Sequence, residues 1–131
     1  MFLRCCMGAA AAFCTMPAQA QESAQSSDIV RSMSLTKGLR EISGLAVASN
    51  SSVFAHNDEH AIVYELSVES GEILRAFALG RPTAKGDFEG IAYDDGRVYL
   101  VTSGGIIYEA IIGAHRDRVG FNMYDTGIGE V

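Results

Sequence analysis

"EISGLAVASNSSVFAHNDEHAIVYEL" (residues 41–66) and "DFEGIAYDDGRVYLVTSGGIIYEA" (residues 87–110) follow one pattern, and that pattern decides the fold. Ile42-Ser43-Gly44-Leu45-Ala46 aligns with Phe88-Glu89-Gly90-Ile91-Ala92 at an offset of 46 residues. Val53-Phe54 then meets Val98-Tyr99, and Tyr64-Glu65 meets Tyr108-Glu109. Each unit reads apolar-x-Gly-apolar-Ala, a turn, a β-type run, a polar turn and apolar-Tyr-Glu.

Runs rich in Val, Ile, Leu, Phe and Tyr occupy residues 42–49, 52–56, 61–68, 73–80, 88–93, 97–103, 105–112 and 120–126. Asn50-Ser51, Asn57-Asp58, Ser70-Gly71, Asp94-Asp95-Gly96 and Gly104-Gly105 separate them. This spacing of short runs and turn residues predicts an all-β fold. No window keeps a helical period for the length a stable helix needs. A repeat of about 45 residues built from four short strands is the pattern of a β-propeller blade. Such a blade is a twisted sheet with two apolar faces, buried by stacking on its neighbours. The glycine-bearing strand is expected innermost, where a missing side chain permits close approach.

"HNDEH" at residues 56–60 matches H-x-x-E-H, a zinc-protease pattern. That pattern works on a helix, where residues four apart share a face. Here β-type runs flank it and Asn57-Asp58 signals a turn. His56 and His60 are therefore expected on the two arms of a hairpin, with Glu59 near its tip, and the bland reading is a solvated turn. The second repeat has "VTSGG" at this place, so the histidines lie outside the repeated framework.

Residues 1–20 read as a secretory signal peptide: Arg4, an apolar run, then Ala18-Gln19-Ala20 before Gln21. The run is far short of the roughly 20 apolar residues of a membrane span. Phe13 stands before Cys14, where lipoprotein processing wants a small residue. Cys5, Cys6 and Cys14 all belong to the leader, so the mature chain has no cysteine ligand or disulfide. It carries nine Lys and Arg against sixteen Asp and Glu, a net charge of −7. With no basic run, nucleic-acid binding has no starting point. The expected product is exported to the periplasm or beyond, with no transmembrane segment after cleavage. Residues 21–40 begin Ser- and Gln-rich and read as a flexible tether.

"EISGLA", "HNDEHAIVYELSVESGEILRAFAL" and "DFEGIAYDDGRVYLVTSGGIIYEA", in this order and spacing, resemble the SdiA-regulated (YjiK-like) family of exported bacterial propellers. The resemblance covers residues 38–131. It implies a β-propeller of about six blades, grouped with phytase-like and lactonase-like propellers. The chain is then expected to hold blades at about 41–86 and 87–114, with a third beginning within 115–131. That makes it an N-terminal piece of a propeller. Two blades leave open edges and uncovered faces, which favour self-association.

The propeller reading places function at one mouth of the central channel. Carboxylates arriving there from successive inner strands suit Ca²⁺, which takes six to eight oxygens. Glu89, Glu41 and Asp58 are the candidate metal ligands, and Asn57 and Asp87 the candidate ligand-binding residues. Ser43 stands where Glu89 stands in the other unit, so the acidic ring is incomplete. Glu89 also suits a structural role, bonded to neighbouring amides. The first expectation is an exported module binding an unidentified ligand, small-molecule substrate or partner, with no catalytic residue assigned. The competing one is a Ca²⁺-dependent lactonase, esterase or phytase-like phosphoesterase, where the metal would polarise the carbonyl and activate water. "EISGL" lacks the G-x-S-x-G elbow, so Ser43 makes a poor nucleophile. Phosphate recognition would need clustered cations, whereas Arg81, Lys85 and Arg97 lie scattered along the sequence.

Overall fold

In the computed structural model, which describes residues 31–129, each of the β-type runs forms a strand. β1 (Ile42–Val47), β2 (Ser52–Asn57), β3 (Ile62–Ser67) and β4 (Ile73–Leu79) make an antiparallel meander in sequence order. β5 (Phe88–Asp94), β6 (Arg97–Thr102), β7 (Ile106–Ile111) and β9 (Asn122–Asp125) make a second one. Between β7 and β9, the short β8 (Arg118–Val119) lies parallel to β4 at the edge of the first sheet. A 3-10 turn spans Lys37–Leu39, and no α-helix occurs among the described residues. The protein is all-β.

The strand registers reproduce the sequence repeat. Gly44 pairs with His56 and Gly90 with Val101, while Val47 pairs with Val53 and Tyr93 with Val98. Ala55 opposes Tyr64 as Leu100 opposes Tyr108, so the two Tyr-Glu pairs hold equivalent places. The first strand of each sheet also shifts register at the same point, between Ile42 and Gly44 and between Phe88 and Gly90. Ser43 and Glu89 are the extra residues. A bulge bends its strand and re-aims the side chain it inserts.

Alternation along the strands gives each sheet two faces. Phe54, Val63, Phe77 and Leu79 of the first sheet pack against Phe88, Val98, Leu100 and Ala110 of the second, all 2% exposed or less. Each large apolar side chain so buried contributes about 1.5–3 kcal/mol. Aromatic pairs cross or line the seam, including Phe54–Tyr93 with ring centroids 5.0 Å apart. The expected close approach also occurs: a Cβ built on Gly44 would lie 3.5 Å from the Cα of Gly90 and 2.8 Å from Nε2 of His56. Glu65, partly buried beside this seam, accepts hydrogen bonds from Ser52 Oγ at 2.7 Å and Arg75 Nε at 2.5 Å. Its repeat counterpart Glu109 accepts from Arg97 at 3.1 Å and from the Tyr124 hydroxyl at 2.7 Å.

The outward face of the second sheet repeats the covered face of the first. Gly90, Ala92, Tyr99, Val101 and Ile107 stand where Gly44, Ala46, Phe54, His56 and Val63 stand. Those five line an apolar concavity of about 270 Å³. On the first sheet's outward face, Leu45 and Val47 are exposed, while Leu39 packs on Ala55 and Leu66.

Two boundaries differ from the sequence reading. The segment read as a tether at 21–40 includes Leu39, which is buried on the first sheet because it is an apolar side chain within reach of that face. The division at 114 also differs, since Asn122–Asp125 pairs with β7 and completes the second sheet rather than opening a third unit. The pairing partner of that run depends on long-range closure, which local turn signals do not carry. The leader read at 1–20 lies outside the described residues. Among the described residues, no helix is long and apolar enough to cross a membrane.

Candidate functional site

β1 and β5 begin at the same end of the stacked sheets, and two connections are tied to them there. The β2–β3 loop is built by Asn57, whose Oδ1 accepts hydrogen bonds from the amides of Glu59 at 3.1 Å and His60 at 2.8 Å. This is the local turn that Asn favours through its own side chain. Asp58 N donates to Glu41 O at 3.2 Å, and Phe88 N donates to Asp58 O at 2.7 Å. Gly86 N donates to Glu59 O at 3.1 Å and Ala61 N to Ala84 O at 2.9 Å. One loop of the first sheet thus holds the starts of β1 and β5 and the β4–β5 connection together.

This end collects the residues singled out in the sequence. Asn57 Nδ2 donates to Glu41 Oε2 at 3.3 Å, so these two and Asp58 adjoin one another. Asp87 is exposed beside Phe88, and its carbonyl accepts from Ser103 N at 2.9 Å. Glu89 is exposed on the β5 bulge. Asp58 Oδ1 and His56 Nε2 are buried without a hydrogen-bond partner. Buried polar atoms rarely stay unpaired, and an unpaired one costs about 1–3 kcal/mol. His56 Nδ1 lies 3.0 Å from Asn57 O, an acceptor, so Nδ1 is the donor in that contact.

The histidines of "HNDEH" are parted by this geometry. His56 is fully buried on β2 between the sheets, whereas His60 is half-exposed and bridges to Lys85. Nor do Glu41, Asp58 and Glu89 form the oxygen shell expected for Ca²⁺. Among the described residues, no three His, Cys, Asp or Glu side chains are grouped to hold one ion.

A second feature of the same end escaped the sequence reading. His60, Arg81, Pro82, Thr83, Lys85 and Arg118 line an open concavity of about 460 Å³. Arg81 and Lys85 come from the β4–β5 connection, and β8 delivers Arg118 beside them. The Arg118 guanidinium donates to Thr83 Oγ1 at 2.5 Å. Arg97, counted with Arg81 and Lys85 in the sequence, instead pairs with Glu109. The sequence does hold half the signal, because "GRPTAK" (residues 80–85) has two cations and no carboxylate. Arg118 joins only through the parallel contact of β8 with β4.

No family model matches the chain, and a comparison with curated proteins gives no match either.

Proposed function

We propose that this protein is an exported propeller-type binding module of the SdiA-regulated kind, taking a small ligand at the end of the sheets where β1 and β5 begin. One observation carries the reading: the β2–β3 loop is locked by backbone hydrogen bonds to both strand starts, with Asp58 Oδ1 left buried and unpartnered there. Binding residues concentrate on loops held by a rigid scaffold, and a buried polar atom without a protein partner is met by water, an ion or a ligand. The repeated registers and the repeated bulge support reading the four-stranded meander of each sheet as a blade. The sequence of residues 1–20 supports export.

Amide hydrogen exchange, measured with and without members of a small-molecule library, tests the reading. A ligand should slow exchange at residues 57–61 and 84–88 and leave the far turns at 48–51 and 94–96 unchanged. Ligands that protect only the far turns would contradict it.

A further inference from the structure

We infer that the concavity between the β4–β5 connection and β8 is a site for a small phosphate ester, which rests on the reading that this end of the sheets binds ligand. Arg81, Lys85 and Arg118 bring three basic side chains to one opening, with His60 and Thr83 beside them. Among the described residues, no carboxylate lies within ion-pairing distance of any of the three, although the chain as a whole is acidic. Arg75 and Arg97 each have a glutamate, whereas Arg31, Lys37, Arg40 and Arg116, which also form no ion pair among the described residues, do not line this opening. Cations gathered without counter-charge repel one another, and an anion relieves that cost. Guanidinium groups suit a phosphate through paired N–H donors, and an ammonium adds a compact charge.

Size and charge narrow the ligand. A volume of about 460 Å³ is in the range of small-molecule sites. An extended polyanion would meet the net negative surface of the protein beyond the concavity, so a compact anion is favoured. Thr83 and Arg118 also line an adjoining concavity of about 210 Å³, whose wall includes Ile62, Ala76 and Ala78. Asp117 and Arg116 border it too, and Asp117 Oδ2 is engaged by the amide of Ala114 at 2.9 Å. The phosphate would sit against Arg81, Lys85 and Arg118, and its organic group would reach the apolar wall next door.

Calorimetric titration with inorganic phosphate and with phenyl phosphate, at low ionic strength, tests this. Both should bind once per chain, with phenyl phosphate about tenfold tighter because of the apolar wall. R81Q and K85Q should each weaken both anions about five- to tenfold, losing one charge-assisted contact. K37Q, an exposed cation in the 3-10 turn, should change neither. Circular dichroism and melting of the variants show that they remain folded. The inference is overturned if neither anion saturates by about 10 mM, or if K37Q weakens binding as much as K85Q, or if the two anions bind equally. Failure here, with other ligands still protecting residues 57–61, would leave the broader reading standing.

Discussion

Gly44 and Gly90 hold the same place in the repeat but meet different surroundings, and that difference can be measured. A Cβ on Gly44 would stand 2.8 Å from His56 Nε2 and 3.2 Å from its Cδ2. Relief requires the ring to retreat by about 0.6 Å to reach ordinary contact, yet His56 is fully buried between the sheets. Over-packing of this kind costs about 1–3 kcal/mol. A Cβ on Gly90 instead meets only Val101 Cγ1, at 3.1 Å, on the uncovered face of the second sheet. There the valine can give way, and the alanine gains about 0.4–1 kcal/mol from a less free unfolded chain. In urea unfolding, Gly44→Ala should therefore lose about 1–3 kcal/mol while Gly90→Ala changes stability by less than about 1 kcal/mol. Adding His56→Ala should remove most of the Gly44→Ala cost, a coupling of about 1 kcal/mol or more in a double-mutant cycle. Equal effects at the two glycines, or no coupling to His56, would refute the reasoning.

The Tyr124 hydroxyl holds the Glu109 carboxyl below its ordinary value of 4.5, and the same bond lifts the Tyr124 phenol above 10.0. Glu109 thus helps hold β9 on β7 above about pH 4.5 and loses this as pH falls through its folded value, while Tyr124 contributes below pH 10.0 and loses it as pH rises further. Protection of the 122–125 amides, taken relative to their intrinsic exchange rate at each pH, should fall at both extremes, and Tyr124→Phe should abolish the alkaline arm. Arg75→Met leaves the Glu65 carboxylate, only 15% exposed, with Ser52 as its remaining side-chain donor. It should cost about 1–3 kcal/mol in urea unfolding, most of it recovered by adding Glu65→Gln. Asp58→Ala removes a buried unpartnered oxygen, so the melting midpoint should rise, by about 1 kcal/mol of stability, while ligand protection at 57–61 is lost.

Much of the fold was legible because strand alternation and turn chemistry are local. The runs at 42–49 and 88–93 already held the glycines, the bulge residues and the alternation that the structure uses. Offsets of 46 and then 45 residues in the alignment reflect a one-residue difference in the hairpin loop, and the registers keep it. What could not be read depends on contacts between distant residues. Arg118–Val119 is two residues long and is a strand only because β4 lies beside it. His56 falls within a motif suggestive of metal, but its burial follows from strand alternation, which puts it on the same face as Phe54. At the site, Asn57 was legible as a turn former, and in the structure it adjoins Glu41 and Asp58. The cationic concavity was not, because two of its charges come from one connection and the third from residue 118.

Two equivalent sheets, stacked so that β1 lies over β5, build the end where ligand is proposed to bind. A nuclear Overhauser spectrum of the labelled chain tests that contact directly. The built Cβ position on Gly44 lies 3.5 Å from Gly90 Cα, so a cross-peak between the α-protons of the two glycines is predicted, together with one between the Phe54 and Tyr93 rings, 5.0 Å apart. Glycine α-protons that show only their own sheet neighbours, with no Phe54–Tyr93 cross-peak, would contradict it.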